Sequence, residues 1–138
     1  MENVAIRRGL VRTSLGHVHY REAGEGPAIV FVHELAGSYR SFDAQVAALK
    51  SNYRCVVFNA RGYPPSDVPP SVDSYSQEHA ASDIGAILDG LNIGNAHIAG
   101  VSMGSTVGLN AVSRHPVLSS RSSSASRAIA ADSSLSKA

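Results

Sequence analysis

A parallel α/β sheet with helices on both faces is the architecture the sequence predicts, and three observations predict it. Short continuous apolar runs recur at Ala28–Val32, Arg54–Phe58 and Ala96–Gly100, the pattern of strands covered on both sides. Each run is followed by a segment whose apolar residues recur at helical spacing. The units therefore alternate strand, helix, strand, helix, strand, helix with short connections, which specifies right-handed crossovers between parallel strands.

Before the first buried run, residues 4–11 and 15–22 read as two short strands joined by a turn near Thr13 and Ser14, with Gly16 opening the second. The stretch from Glu22 to Pro27 is turn-rich and delivers the chain to the strand Ala28–Val32. After the break at Gly37 and Ser38, Phe42, Val46 and Leu49 place one apolar stripe on a helix from about Ser41 to Lys50. The strand Arg54–Phe58 follows, and then a loop from Asn59 to Ser71 whose four prolines forbid regular structure. Ser74 with Gln77 reads as a capping box opening the next helix, whose stripe is Ile84, Ile87, Leu88 and Leu91. Asn92 ends that helix in the left-handed conformation. The strand Ala96–Gly100 leads into a helix from Met103 to about Arg114, stopped by Pro116, which disfavours helix at His115.

From Val117 the chain is dominated by serine and alanine, and it reads as a disordered tail, dividing the chain into a domain over 1–116 and a tail over 117–138. On this reading the sheet ends after its third crossover. An uncovered sheet edge and helix flank then offer a surface for self-association.

At 138 residues the chain holds one domain with a hydrophobic core. A formal net charge of +1, with acids and bases interspersed, excludes the basic stripe that nucleic acid requires. The single cysteine, Cys55, permits no internal disulfide and no cysteine metal cluster. No histidine pair has metal-binding spacing, so neither metal nor cofactor is expected. The first residues lack a signal-peptide core, and the longest apolar run falls far short of the ~20 residues that span a bilayer. A soluble, cytoplasmic protein with a small-molecule substrate and no membrane partner is expected.

Gly100-Val-Ser-Met-Gly104 matches G-x-S-x-G between a strand and a helix, the context in which that pattern marks a nucleophile elbow. So sharp a turn requires small residues two before and two after Ser102, and it aims the helix N-terminus and the Met103 N–H at a developing oxyanion. The structural alternative is a plain strand-to-helix turn with glycines for packing. A second loop, His33-Glu-Leu-Ala-Gly37, leaves the sheet on the same edge, where its N–H groups can complete an oxyanion hole with that of Met103.

VFVHELAG, FNARGYPPSD and AHIAGVSMG resemble the successive strand-loop signatures of the α/β-hydrolase superfamily, and the likeness covers about residues 15–116. The resemblance implies a partial α/β-hydrolase fold ending after the nucleophile helix, with Ser102 as nucleophile, Leu35 and Met103 as oxyanion donors, His33 and Glu34 at the substrate, and Arg61, Gly100 and Gly104 in structural roles. Glu34 stands where the family commonly has glycine, as in a His-Glu subgroup. For His33 both a bracing role and a base role stay open.

In this fold the triad runs Ser, then Asp or Glu, then His. After Ser102 the only acid is Asp132 and the only histidine His115, in the wrong order. His115 also lies at the far end of a helix that starts beside Ser102, roughly 18–20 Å away at 1.5 Å per residue. The acid and base are therefore expected to be absent, as in the first half of a longer family member. The expected function is hydrolysis of a carboxylic ester or related small substrate through an acyl-enzyme; the alternative is a catalytically silent remnant that binds a small ligand or partner.

Overall fold

The computed structural model describes residues 6–114 and 128–131. Six strands form one sheet: β1 (Ile6–Thr13), β2 (Gly16–Ala23), β3 (Ala28–Val32), β4 (Arg54–Phe58), β5 (Ala96–Val101) and β6 (Ala128–Ala131), in the order β1-β2-β4-β3-β5-β6. The pairs β1/β2 and β2/β4 are antiparallel, whereas β3/β4, β3/β5 and β5/β6 are parallel. Three helices connect or follow the parallel strands: α1 (Asp43–Leu49), α2 (Gln77–Gly90) and α3 (Met103–Arg114).

Strand alternation sorts the side chains onto two cores. Val30, Val32, Val56, Phe58, Ala96 and Ile98 face one way and pack against Ile84, Ile87 and Leu88 of α2 and Val107 and Ala111 of α3. Ile29, Phe31, Cys55 and Val57 face the other way, against Phe42 and the partly buried Val46 and Leu49 of α1. Every residue of β3 is buried, as its continuous apolar run predicts. Only alternate residues of β5 are; Ala99 and Val101 are partly buried, packed against the second core.

The helix starts differ from expectation in two places. Tyr39–Phe42 forms a separate 3-10 turn before α1, capped by Ser38, whose side chain accepts from the Arg40 N–H. The residue that caps α2 is Ser76, extended at φ −163°, ψ 167° and accepting the His79 N–H at 3.0 Å. Ser74 lies in a preceding 3-10 turn, Val72–Ser74, so the expected Ser74–Gln77 box does not form. Its carbonyl serves Arg61 instead. Asn92 closes α2 at φ 56°, as predicted.

The sheet does not end at β5. Ala128–Ala131 pairs in parallel with it from Ile98 to Val101, placing a strand within the segment read as tail. The open edge of β5 offers unpaired backbone groups to a short run free of glycine and proline, and pairing satisfies both. Residues 115–127 and 132–138, with His115 and Asp132 among them, lie outside the described residues. No described helix is long and apolar enough to cross a membrane.

Candidate active site

β5 ends at Val101 and α3 begins at Met103, so the whole reversal falls on Ser102. That residue is exposed and sits at φ 57°, in the left-handed region. A β-carbon there crowds the following carbonyl at a cost on the order of 1–2 kcal/mol, so surrounding structure must hold it. A β-carbon on Gly100 would overlap the carbonyl of Gly104, and one on Gly104 would overlap the carbonyl oxygens of Val32 and His33. Two glycines thus let the end of β5, the first turn of α3 and the end of β3 lie in direct backbone contact. Ser105 closes that turn, donating from both N–H (2.9 Å) and Oγ (2.6 Å) to the Ser102 carbonyl.

Val32 lies opposite Gly100 in the β3/β5 register, so the two loops leave the sheet at the same level. Leu35 stands three residues beyond one strand partner and Met103 three beyond the other. Around Leu35 the chain makes a tight turn, with the Gly37 N–H donating to the Glu34 carbonyl at 2.9 Å and Ala36 at φ 64°. Leu35 is at the outside of this turn, 69 % exposed.

His33 is buried, and both its nitrogens are committed. Nε2 accepts the Ala60 N–H at 3.0 Å, which leaves Nδ1 as the protonated nitrogen, donating to the Glu34 carbonyl at 2.8 Å. Tyr63 supports the loop further, its ring meeting His33 edge-on at 4.7 Å between centroids and its hydroxyl accepting the Ala36 N–H at 3.1 Å. Glu34 is half-buried with Oε1 turned over Gly37, and this oxygen has no hydrogen-bond partner among the described residues.

A cavity of about 350 Å³ opens beside the elbow, between the carboxyl ends of β3 and β4 and the first turns of α2 and α3. Val32, Phe58, Tyr63, His79, Met103 and Val107 are among its walls. Of the pair expected at the substrate, His33 lines this cavity and Glu34 does not. Arg61 lies at its base, buried and held by Asp83 through Nη2 to Oδ1 at 2.6 Å and Nε to Oδ2 at 3.1 Å. It also donates to the Ser74 carbonyl at 2.8 Å and Ser14 Oγ at 3.3 Å. Burial pushes the Asp83 carboxyl above its ordinary pKa, and the guanidinium opposes that shift without cancelling it.

Sequence reasoning did not single out Tyr63 or Asp83. Asp83 had a readable signal: an acid beside the apolar stripe of α2, four residues before Ile87, needs a buried partner. Tyr63 had none, since its contacts cross between loops distant in sequence. His19 is half-buried, its Nδ1 without a hydrogen-bond partner among the described residues, and its ring lies 5.8 Å from that of Tyr39. Burial, then the charges of Arg21 and Arg8, lower its pKa.

The family described as alpha/beta hydrolase fold matches residues 27–134. A 3-oxoadipate enol-lactonase of Acinetobacter baylyi is 42 % identical over 83 residues, covering 60 % of this chain and 30 % of the relative. An epoxide hydrolase of Siraitia grosvenorii is 31 % identical over 96 residues, covering 69 % of this chain and 31 % of the relative. Among solved structures, an epoxide hydrolase from an endophytic Streptomyces superposes with a TM-score of 0.78 at 30 % identity, over 82 % of this chain and 34 % of that one. The chain thus spans about a third of the length of the proteins it resembles.

Proposed function

The chain belongs to the α/β-hydrolase fold family, and on that footing we propose that it carries the nucleophile and oxyanion elements of a serine hydrolase acting on a carboxylic ester or lactone. One observation carries the reading: Ser102 is exposed in a strained, left-handed conformation on a one-residue reversal between strand and helix. An ordinary turn would place glycine or asparagine there. A serine kept at such a position is consistent with a hydroxyl needed at the carboxyl edge of the sheet, where open α/β folds bind ligands.

In the proposed reaction Ser102 Oγ adds to the substrate carbonyl carbon while the N–H groups of Leu35 and Met103 receive the negative charge on its oxygen. The bond to the leaving alkoxide breaks, the alkoxide takes up the proton that the Ser102 hydroxyl gives up, and water then cleaves the acyl-serine ester to release the acid and restore the hydroxyl. Chemistry favours this over epoxide opening, although two of the relatives are epoxide hydrolases. A serine alkoxide attacking an epoxide carbon would form an ether, which water does not cleave under mild conditions. An acyl ester is hydrolysed readily. Gly100, Gly104 and Arg61 serve this site as structure.

A fluorophosphonate probe tests the proposal. Covalent labelling that Ser102→Ala abolishes is the expected result, and absence of labelling in folded protein would overturn it. A second reading, a ligand-binding chain without turnover, is favoured by the committed nitrogens of His33: the histidine on the loop beside the elbow has no lone pair free to act as base.

A further inference from the structure

Independently of the hydrolase reading, we infer that the outer edge of β1 is a docking strand for an extended acidic peptide, which joins the sheet as a further strand. Strand alternation places Ile6, Arg8, Leu10 and Arg12 on one face of β1, and all four are exposed. Val11 points the other way and packs on the α2 side of the sheet. Arg7 shares that side, where it is bound by Glu22 at 3.1 Å. Arg7 and Arg8, adjacent in sequence, are thus divided by the sheet, and a chain of formal net charge +1 presents a one-sided basic face. Neither Arg8 nor Arg12 has a side-chain hydrogen bond or ion pair among the described residues. Arg21 joins them from β2, opposite Arg8 in the register, with its guanidinium 4.4 Å from the Tyr39 ring and its buried Nε without a partner among the described residues. Asp67, at the hairpin end, already serves His17, accepting its N–H at 2.9 Å.

β1 is the terminal strand of the sheet, so alternate N–H and carbonyl groups along its outer edge have no strand partner among the described residues. An added strand would lie about 4.8 Å away and set its side chains directly opposite those of β1. Acids opposite Arg8 and Arg12, about 14 Å apart at ~3.4 Å per residue, would neutralise the guanidinium groups. Aliphatic residues opposite Ile6 and Leu10, each 59 % exposed, would cover the apolar positions between. On the other face, a cavity of about 470 Å³ beside β1, with Val11, Tyr20, Ala86, Asp89 and Leu91 in its walls, receives the side chains that alternate with these. Asp89 disfavours an acid there, which fixes the partner's acids on the arginine face. A second copy of β1 is the wrong occupant, because pairing the two edges would make arginines of both copies direct or diagonal neighbours. A neutral strand would leave the guanidinium groups uncompensated. Three strands separate β1 from β5, so this surface is distinct from the elbow.

The test is fluorescence anisotropy of the full chain with a labelled, end-capped peptide of the same length as β1, eight residues, in which glutamate and valine alternate at the odd positions and threonine fills the even ones. Saturable binding is expected, at least tenfold weaker in Arg8→Glu/Arg12→Glu and restored there by a peptide carrying lysine for glutamate. N-methylation of the odd residues or of the even residues blocks one edge of the peptide or the other. One of these two peptides is expected to lose binding at least tenfold and the other to keep it. Equal affinity for the two, or undiminished binding of a scrambled peptide of the same composition, would overturn the added strand. Absence of peptide binding would overturn the docking role altogether. Attachment to phosphatidylserine vesicles, or a monomer fraction in sedimentation, that changes in Arg8→Glu/Arg12→Glu would then assign the face to a lipid surface or a second copy. Fluorophosphonate labelling is expected to be the same with and without the two arginines, so this inference and the hydrolase reading fail separately.

Discussion

The Ala60 N–H donates to Nε2 of His33 at 3.0 Å, tying the loop after β4 to the loop after β3 across the carboxyl edge of the sheet. The bond decides which way the turn at Glu34–Gly37 faces, because the other nitrogen of the same ring holds the Glu34 carbonyl. A motif residue that resembles part of the reaction machinery is thus occupied as a brace.

Removing that brace leaves the partly buried Ala60 N–H without its partner and the Glu34 carbonyl held by the Gly37 N–H alone. His33→Ala is expected to destabilise the fold by about 1–3 kcal/mol through the unsatisfied Ala60 N–H, plus a cavity contribution from the lost ring. Urea denaturation measures it, and a change under 0.5 kcal/mol would show that the ring is not needed.

Gly104 and Gly94 make a matched pair. A methyl on Gly104 collides with main-chain oxygens of Val32 and His33, which cannot rotate away, whereas a β-carbon on Gly94 meets nothing within 4 Å. Gly104→Ala is expected to cost about 3 kcal/mol or more, or to prevent folding. Gly94→Ala should be neutral or stabilise by up to about 1 kcal/mol. Similar melting temperatures for the two variants would contradict the close approach.

Ser102 stores strain that glycine would not. Ser102→Gly is expected to be at least as stable as the unsubstituted chain, since relief of the left-handed conformation offsets the ~0.5–1 kcal/mol entropic cost of glycine. It should also lose all probe labelling. Ser102→Val, branched at the β-carbon, should be less stable than either. Thermal unfolding of the three proteins would expose an unstrained elbow if their order were otherwise.

Two buried carboxylates should titrate with opposite effect. Burial alone would raise the pKa of Glu22, but hydrogen bonds from Arg54 and Arg7 outweigh it and leave the carboxyl below its ordinary 4.5. Its native state holds fewer protons than the unfolded chain just below that pH, so its stabilisation is complete above 4.5 and is lost as pH falls through the lowered pKa. Burial raises Asp83 above its ordinary 3.8, so the native state holds more protons there and stability declines as pH climbs from 3.8 through the raised pKa. The advantage of the unsubstituted chain over Glu22→Gln should shrink on acidification, and its advantage over Asp83→Asn should shrink as pH rises. Urea midpoints between about pH 3 and pH 7 test both signs.

Much of the fold was legible because local rules decided it. The runs at Ala28–Val32 and Arg54–Phe58 could satisfy their burial only inside a covered sheet, and both became strands with the expected bounds. Asn92 ended α2 because its left-handed backbone is a local preference. The α2 cap moved from Ser74 to Ser76 because Ser74 is drawn into a turn whose carbonyl binds Arg61, a contact thirteen residues away that no local pattern encodes. The strand Ala128–Ala131 was missed for a related reason: a short alanine-rich run has little preference of its own, and the free edge of β5 supplied its partner.

By itself, then, the sequence determined the alternation of strands and helices, the location of the elbow between Val101 and Met103, and the two glycines it requires, since all depend on side-chain period and backbone freedom over a few residues. Only the tertiary structure decided that His33 is a brace, that Arg61 and Asp83 neutralise each other, and that His79 lines the cavity beside the elbow. Those roles arise where loops from different strands meet, and which donor finds which acceptor there depends on distances that sequence spacing does not carry.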